Sequence, residues 1–285
     1  MSVRVFGRAA KLQVGTLVFE HGKGKSALDF DFSIEKTLSG NPNKAEIKVY
    51  NLSRKHRSEL SKQKRYPLVF SAGYDEGTTM IFRGDIRHIE NENENGNTSI
   101  TTIEAQDGID AHQFTRANLS FGRGAPVGDV VKALASAMSA NGLGIGNVVE
   151  AAKGMALEGI GANTFAGGVS FSGQASKEMR KVVESTGHEY SVQDGSIQIT
   201  KRGVAVGRSA SLLTLQSGLV SAPVKDAKGV ITAVCKILPD LLPGRQVEFR
   251  GTFDTVGQFR ITACKYTGST SGGDVWDAEI TCKEI

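Results

Sequence analysis

An internal repeat is the feature that most restricts what this 285-residue chain can fold into. From about Ala45 to Asp107, and again from about Val230 to Glu284, one strand, a turn and two hairpins recur in the same order. A single constant offset places Phe70 on Val247, Phe82-Arg83 on Phe259-Arg260 and Ile103 on Ile280, and it aligns the loop tips Asn91–Asn97 and Gly268–Gly273. Identities are few; element order and spacing carry the repeat. The second copy is the plainer one, with β runs at Val230–Leu238, Arg245–Arg250, Gln258–Tyr266 and Val275–Cys282. A Leu242-Pro-Gly244 turn and an Asp254–Gly257 hairpin separate them. Short runs rich in Val, Ile, Phe and Tyr, punctuated by Gly and Pro, predict antiparallel sheet.

The first copy follows an alternating stretch: Val3 and Val5, then Leu12, Val14, Leu17 and Phe19, then Leu28, Phe30, Phe32 and Ile34. The connector Glu20–Ser26 contains Gly24-Lys25-Ser26 but is no P-loop, because Phe19 stands where the first glycine would be needed. Strands are predicted at Pro67–Tyr74, Thr79–Glu90 and Ser99–Gln106. The repeat breaks at one place, where Ser53–Tyr66 is longer than its counterpart Pro239–Leu242. That extra segment starts a helix at Ser53, has Leu60 as its apolar anchor, and carries Arg54, Lys55, Arg57, Lys62, Lys64 and Arg65. Such a run is either a solvated helix face or a patch facing an acidic partner or a phosphate backbone. No aromatic residues interleave with it, so base stacking is unsupported. Its presence in one copy only makes these six residues, with Trp276, the candidate partner interface.

Between the copies the pattern changes. A helix opens at Pro126, with Val127, Val130, Val131, Leu134, Ala135 and Met138 at helical spacing, and a second runs from Ala175 to Thr186. Residues 142–173, rich in Gly and Ala, give no assignment; they hold neither a dinucleotide fingerprint nor a nucleophile elbow. Asp194-Gly195 marks a hairpin in which Tyr190 faces Ile199 and Val192 faces Ile197. The expected fold is mainly β (α+β): two related antiparallel β-barrel domains, residues 1–115 and 206–285, around a small inserted α/β module, residues 116–205.

Little in the chain points to chemistry. Its five histidines are scattered without metal-ligand spacing, and no carboxylate pair is set up for acid and base roles. Asp85 and Asp107, beside glycines at strand ends, read as turn residues. Cys235, Cys264 and Cys282 lie in predicted strands and read as buried free thiols, with Cys264 and Cys282 on the two arms of one hairpin. Trp276, the single tryptophan, suits a core or an interface. A net charge of +4 is small for a dedicated nucleic-acid binder. The N-terminus has no signal-peptide pattern and no long apolar run occurs, so synthesis in the cytoplasm without membrane insertion is expected. No catalytic residue, metal or cofactor is expected.

The segments Asn43–Ser53, Phe70–Tyr74 and Ile81–Gly84 resemble the N-terminal barrel of phage baseplate hub proteins. Gly187–Ile199, and the final Leu-Pro-Gly followed by Gly-Gly-Asp-Val-Trp-Asp-Ala-Glu-Ile, are similar to later parts of the same proteins. The resemblance implies a non-enzymatic virion protein of the tail tip. It would be a homotrimer whose two barrels per chain form a pseudo-hexameric ring joining a six-fold tail tube to a three-fold spike. The same barrel core occurs in type VI secretion spikes. Implied partners are the tail tube protein, a spike made as a separate chain, other baseplate proteins, the tape measure protein, and DNA in passage through the channel. The alternatives are a cell-surface or carbohydrate-binding β protein, which would show an exposed aromatic cluster, and a peptidoglycan hydrolase housed in the inserted module.

Overall fold

The computed structural model describes residues 7–24, 28–62, 65–94, 98–157, 164–238, 240–251, 255–273 and 275–285. Val3, Val5, Lys25-Ser26, Lys64, the tip of the Asn91–Asn97 loop and Asp254 of the expected hairpin lie outside these residues. The chain forms two compact units, one made of the residues up to Lys36 with Asn43–Gln106 and Ala205–Ile285, the other of Thr37–Pro42 with Asp107–Val204.

The first unit holds the repeat. Its first copy comprises β1 (Arg8–Val14), β2 (Leu17–His21), β3 (Phe30–Thr37), β4 (Lys44–Tyr50), α1 (Arg54–Ser61), β5 (Pro67–Tyr74), β6 (Gly77–Glu94) and β7 (Thr98–Gln106). The second unit supplies α2 (Ile109–Phe114), β8 (Arg116–Phe121), β9 (Ala125–Pro126), α3 (Val127–Ser139), α4 (Val148–Leu157), β10 (Thr164–Phe165), β11 (Val169–Gln174), α5 (Ala175–Ser185), β12 (His188–Gln193) and β13 (Ser196–Lys201). The chain then returns to the first unit through β14 (Val206–Leu213), β15 (Val224–Lys225), β16 (Ile231–Lys236), β17 (Arg245–Phe249), β18 (Gly257–Ser269) and β19 (Trp276–Glu284).

The fold is mainly β and barrel-like. The neighbour order β4-β7-β6-β5 in the first copy recurs as β16-β19-β18-β17 in the second. The register repeats as well: Phe70 lies opposite Phe82, and at the offset of the repeat Val247 lies opposite Phe259. Both long strands carry a bulge opposite equivalent residues of the neighbouring strand: Ile86 and His88 against Ala105 and Glu104, Ile261 and Ala263 against Cys282 and Thr281. Bulges bend a strand and raise its twist, which helps a sheet to curl over its own core. The ladders β5–β6, β6–β7, β16–β19 and β18–β19 are antiparallel, whereas β14 runs parallel to β17. The two copies are parts of one 13-stranded sheet, joined where β3 pairs with β18.

Alternation drives this arrangement. In β3 the residues Phe30, Phe32 and Ile34 point inward while Asp31, Ser33 and Glu35 point outward. The inward side chains of both copies, including Phe70, Phe82, Phe249, Phe259, Tyr266 and Trp276, make one continuous core. Each fully buried side chain of this size contributes roughly 1.5–3 kcal/mol, so a core shared by both copies ties them together through the same force that folds each one.

In the second unit, α5 lies on β12 and α4 on β13, with α3 packed against both helices, and Leu134, Met138, Met179 and Val183 share one core with Tyr190, Val192, Ile197 and Ile199. Tyr190 faces Ile199 and Val192 faces Ile197, as the sequence predicts. The turn is Asp194-Gly195, both at positive φ. Residues 142–173, unassigned from sequence, contain α4, β10 and all but the last residue of β11. Asp107 is fully buried and accepts the Asp194 N–H at 3.1 Å, so it anchors this turn from across the unit. Asp85 sits within β6, opposite Pro67 and Gln106. Asp85 therefore has a ladder role in place of a turn role, whereas Asp107 does stand in the bend after β7, beside Gly108, and adds the bond to Asp194 from there.

Candidate partner interface

Helix α1 is built to be held at few points. The Ser53 hydroxyl accepts the His56 N–H at 3.2 Å, capping the N-terminus. Leu60 is completely buried, and the His56 ring meets Phe19 edge-on at 5.3 Å. The Ser61 hydroxyl donates to the Arg57 carbonyl at 2.9 Å and accepts from the Asn91 side chain at 3.2 Å. Past the helix, Arg65 adopts φ 62° and its N–H donates to the Ile86 carbonyl at 3.1 Å, leading the chain into β5. With one flank pinned in this way, Arg54, Lys55, Lys62 and Arg65 are exposed and Arg57 is half-buried. Lys64 lies outside the described residues.

The first turn of α1 contains no acidic residue, while Arg54, Lys55 and Arg57 place positive charge at the positive end of the helix dipole. Each such charge opposes the dipole by about 0.3–1 kcal/mol at an exposed site. In the second copy the described residues of the equivalent link form no helix. Its buried Leu241 accepts hydrogen bonds at the carbonyl from the Tyr266 hydroxyl and the Cys264 thiol. One leucine plugs the core at each link; only the first copy adds the basic helix.

Trp276, grouped with these residues on sequence grounds, is not part of their surface. It is 2% exposed, its Nε1–H donates to the Gly73 carbonyl at 3.1 Å, and its ring stands edge-on to Phe32 at 5.2 Å. It therefore bonds the second copy to the first inside the chain. Arg8 completes this joint, its guanidinium donating to the carbonyls of Ser269 and Gly273 at 2.6 Å and lying 5.7 Å from the Trp276 ring centre. Phe30 and Thr270 close it with reciprocal bonds: Thr270 N–H to the Phe30 carbonyl at 2.9 Å, and Phe30 N–H to the Thr270 hydroxyl at 2.7 Å. Sequence reasoning missed Arg8, Phe30, Thr270 and Gly268 as joint residues. The only local signal was the pairing of a glycine, Gly268, with the single tryptophan across a hairpin.

Two shallow clefts lie on the outer face of β3 and β4, of about 340 and 260 Å³, sharing Ser33 and Glu46. Charges of both signs line them, among them Glu35, Lys44, Glu104 and Arg87 in the larger. Among the described residues no cluster of three or more potential metal ligands occurs, and no helix is long and apolar enough to cross a membrane. The three cysteines are buried and unbonded, with Cys264 opposite Ile280 and Cys282 opposite Ile261. Burial pushes all three thiols well above their ordinary range, the state of inert core cysteines. His112, in the second unit, is held below the usual histidine value by burial and by Arg180 and Lys177.

These features define a class of fold shared with phage tail proteins. The 43 kDa tail protein of prophage MuSo2 from Shewanella oneidensis superposes with a TM-score of 0.65 at 7% identity, covering 98% of this chain and 97% of that one. A tail protein from Neisseria meningitidis MC58 gives 0.64 at 12% identity, with the same coverage of 98% and 97%. The E. coli c3393 protein, a component of the type VI secretion system with structural similarity to the T4 tail proteins gp27 and gp5, gives 0.60 at 11% identity over 96% of this chain and 77% of that one. No protein-family profile matches the chain, and no curated protein matches it in sequence. The fold implied by the resemblance in the sequence is the fold found.

Proposed function

We propose that this chain is a structural, non-enzymatic component of a phage-type tail tip, in which three copies form a hub between a six-fold tail tube and a three-fold spike and line the channel through which DNA passes. The observation that carries the reading is the repeated strand order and register within a fold shared with tail proteins. Three chains with two like units each present six like surfaces, which is what a three-to-six adaptor requires. Tube, spike, other baseplate proteins and the tape measure protein would be its neighbours, and the virion its location.

Two observations support an assembly part over the alternatives. Among the described residues the exposed aromatic rings are Tyr66 and Phe114, one in each compact unit, and Trp276 is buried, so neither unit's described residues present an exposed aromatic cluster. The basic helix accepts an electrostatic cost at its N-terminus that its own stability does not call for. A sequence that breaks a local rule in this way most often does so for a functional surface, and the basic segment fits an acidic patch on a neighbouring tail protein. The test is the mass of the purified protein in solution, alone and with tube and spike proteins. A trimer that binds them is expected; a strict monomer that joins no particle overturns the reading.

A further inference from the structure

The repeat leaves each chain with one strand and one strand edge that lack, among the described residues, the neighbour their counterparts have. Strand β3 lies between β4 of its own copy and β18 of the other. Its counterpart β15 pairs with β16 as β3 pairs with β4, and ends the sheet on its other side. The same asymmetry holds on the receiving side. Strand β18 is flanked on one side by β19 and on the other by β17 and then β3. Strand β6 is flanked by β7 and, only as far as Asp85, by β5. Among the described residues, its half from His88 to Glu94 pairs with no strand but β7, and α1 touches it through the side-chain bond from Asn91 to Ser61.

We infer that β15 of one chain adds to the distal half of β6 in a second copy, repeating between chains the β3–β18 junction made within each chain. The inference rests on the proposed trimeric hub and supplies the contact by which it closes.

The register follows from the strand pairings; measured against β7 and β19, β6 and β18 correspond two residues away from the constant offset, so that Gly268 answers to Asn93. Within the chain, Phe32 lies opposite Ile47, which faces Ile103, while Ala233 faces Ile280, the counterpart of Ile103 in the second copy. Continuing the β15–β16 register by one residue puts Pro223 where Phe32 stands. A Cβ added to Gly268 would lie 2.7 Å from the Phe32 ring, and Gly268 faces Trp276 as Asn93 faces Ser99. Pro223 therefore belongs opposite Asn93, Val224 opposite Glu92, and Lys225 opposite Asn91 of the neighbour.

Backbone direction agrees. The Asp226 N–H bonds the Val230 carbonyl, so alternation turns the N–H and C=O of Lys225 away from β16. In the junction within the chain, Tyr50 N–H bonds the Asp29 carbonyl on the β4 side, while Phe30 bonds Thr270 on the other. Lys225 thus has the same outward parity as Phe30. Val224 is 67% exposed, a large apolar residue on an edge strand. Glu90 and Glu92 on the receiving strand are exposed, and Lys228 on the donor segment supplies the opposite charge, Lys225 being paired with Glu284 of its own chain at 2.6 Å. Strand addition of this kind is a general way to join chains, and because donor and acceptor edges differ, the contact is head-to-tail, the type of contact from which a three-membered ring is built.

Directly opposed residues bring their Cβ atoms to about 4.5–5.5 Å, near enough for a disulfide after slight adjustment. The chain with both Val224→Cys and Glu92→Cys, oxidised in solution, is expected to run on a non-reducing gel as a ladder ending at three times the 30.3 kDa chain mass. Because the native thiols are buried, the two new ones are the reactive pair. Each single variant, and the pair Val224→Cys with Val18→Cys that moves the second thiol to β2, should stay uncrosslinked. A trimer by native mass spectrometry with no crosslink, or with a crosslink to β2, overturns this edge pairing and leaves the hub standing; a monomer overturns both. If the cysteines disturb folding, Lys225→Pro reads the same contact, since it removes the outward donor and spares the β16 ladder. It should raise the concentration needed for trimer at least tenfold, and an unchanged trimer would refute the pairing.

Discussion

Gly268→Ala tests the joint between the two copies without removing anything. Gly268 has no positive φ, so alanine brings no backbone strain there. Its Cβ would instead fall 2.6 Å from Trp276 Cε3 and 2.7 Å from Phe32 Cζ, atoms of two aromatic rings whose centres are only 5.2 Å apart. Both rings are walled in: Trp276 is tied to the Gly73 carbonyl, and Phe32 packs on Phe70 at 5.0 Å. Overpacking at such a site costs about 1–3 kcal/mol, and the entropy that alanine removes from the unfolded chain returns about 0.4–1 kcal/mol. The middles of these two ranges give a net loss of about 1.3 kcal/mol. Trp276 is the only tryptophan and sits at the clash, so urea unfolding followed by its fluorescence reports on the unit concerned. Phe32→Leu placed in the Gly268→Ala background should recover part of the loss by giving the new methyl room. An unfolding midpoint equal to wild type, or no recovery in the double variant, would refute the account of the joint.

Three further outcomes follow from the structure. Reversing Arg54, Lys55 and Arg57 to Glu should leave folding intact or raise helix stability by about 0.3–1 kcal/mol per site, since acids suit a helix N-terminus, yet impair assembly in a particle-complementation assay; full infectivity would refute the interface role. Ellman's reagent should find no accessible thiol in the native protein and three after unfolding, because Cys235, Cys264 and Cys282 are all buried; rapid native labelling would contradict the core placement. Burial pushes the Tyr74 phenol from its ordinary 10.0 up to about 12. Its contribution to stability is therefore fully present below pH 10 and lost as pH rises towards 12, and Tyr74→Phe should reduce the fall in urea midpoint over that interval.

The sequence alone determined what depends on neighbours along the chain. Alternation in Phe30–Ile34 marked one face of a strand for burial, Asp194-Gly195 set a hairpin and its register, and the apolar spacing from Val127 to Met138 specified a helix. The offset of the repeat even put the pair Phe70 and Phe82 on equivalent footing with Val247 and Phe259. A period of 2 or 3.6 says which side of an element is buried; it does not say against what. Only the tertiary structure decided that β3, near the start of the chain, bridges the two copies by joining β18, near its end, and that β14 runs parallel to β17. It likewise decided that Trp276 spends its N–H on Gly73 within the chain, whereas Arg54, Lys55 and Lys62 stay outside. Charge on a short helix has no apolar cavity to fill and remains exposed wherever the helix lands. An indole must find both an apolar cavity and an acceptor, and here distant strands supply them.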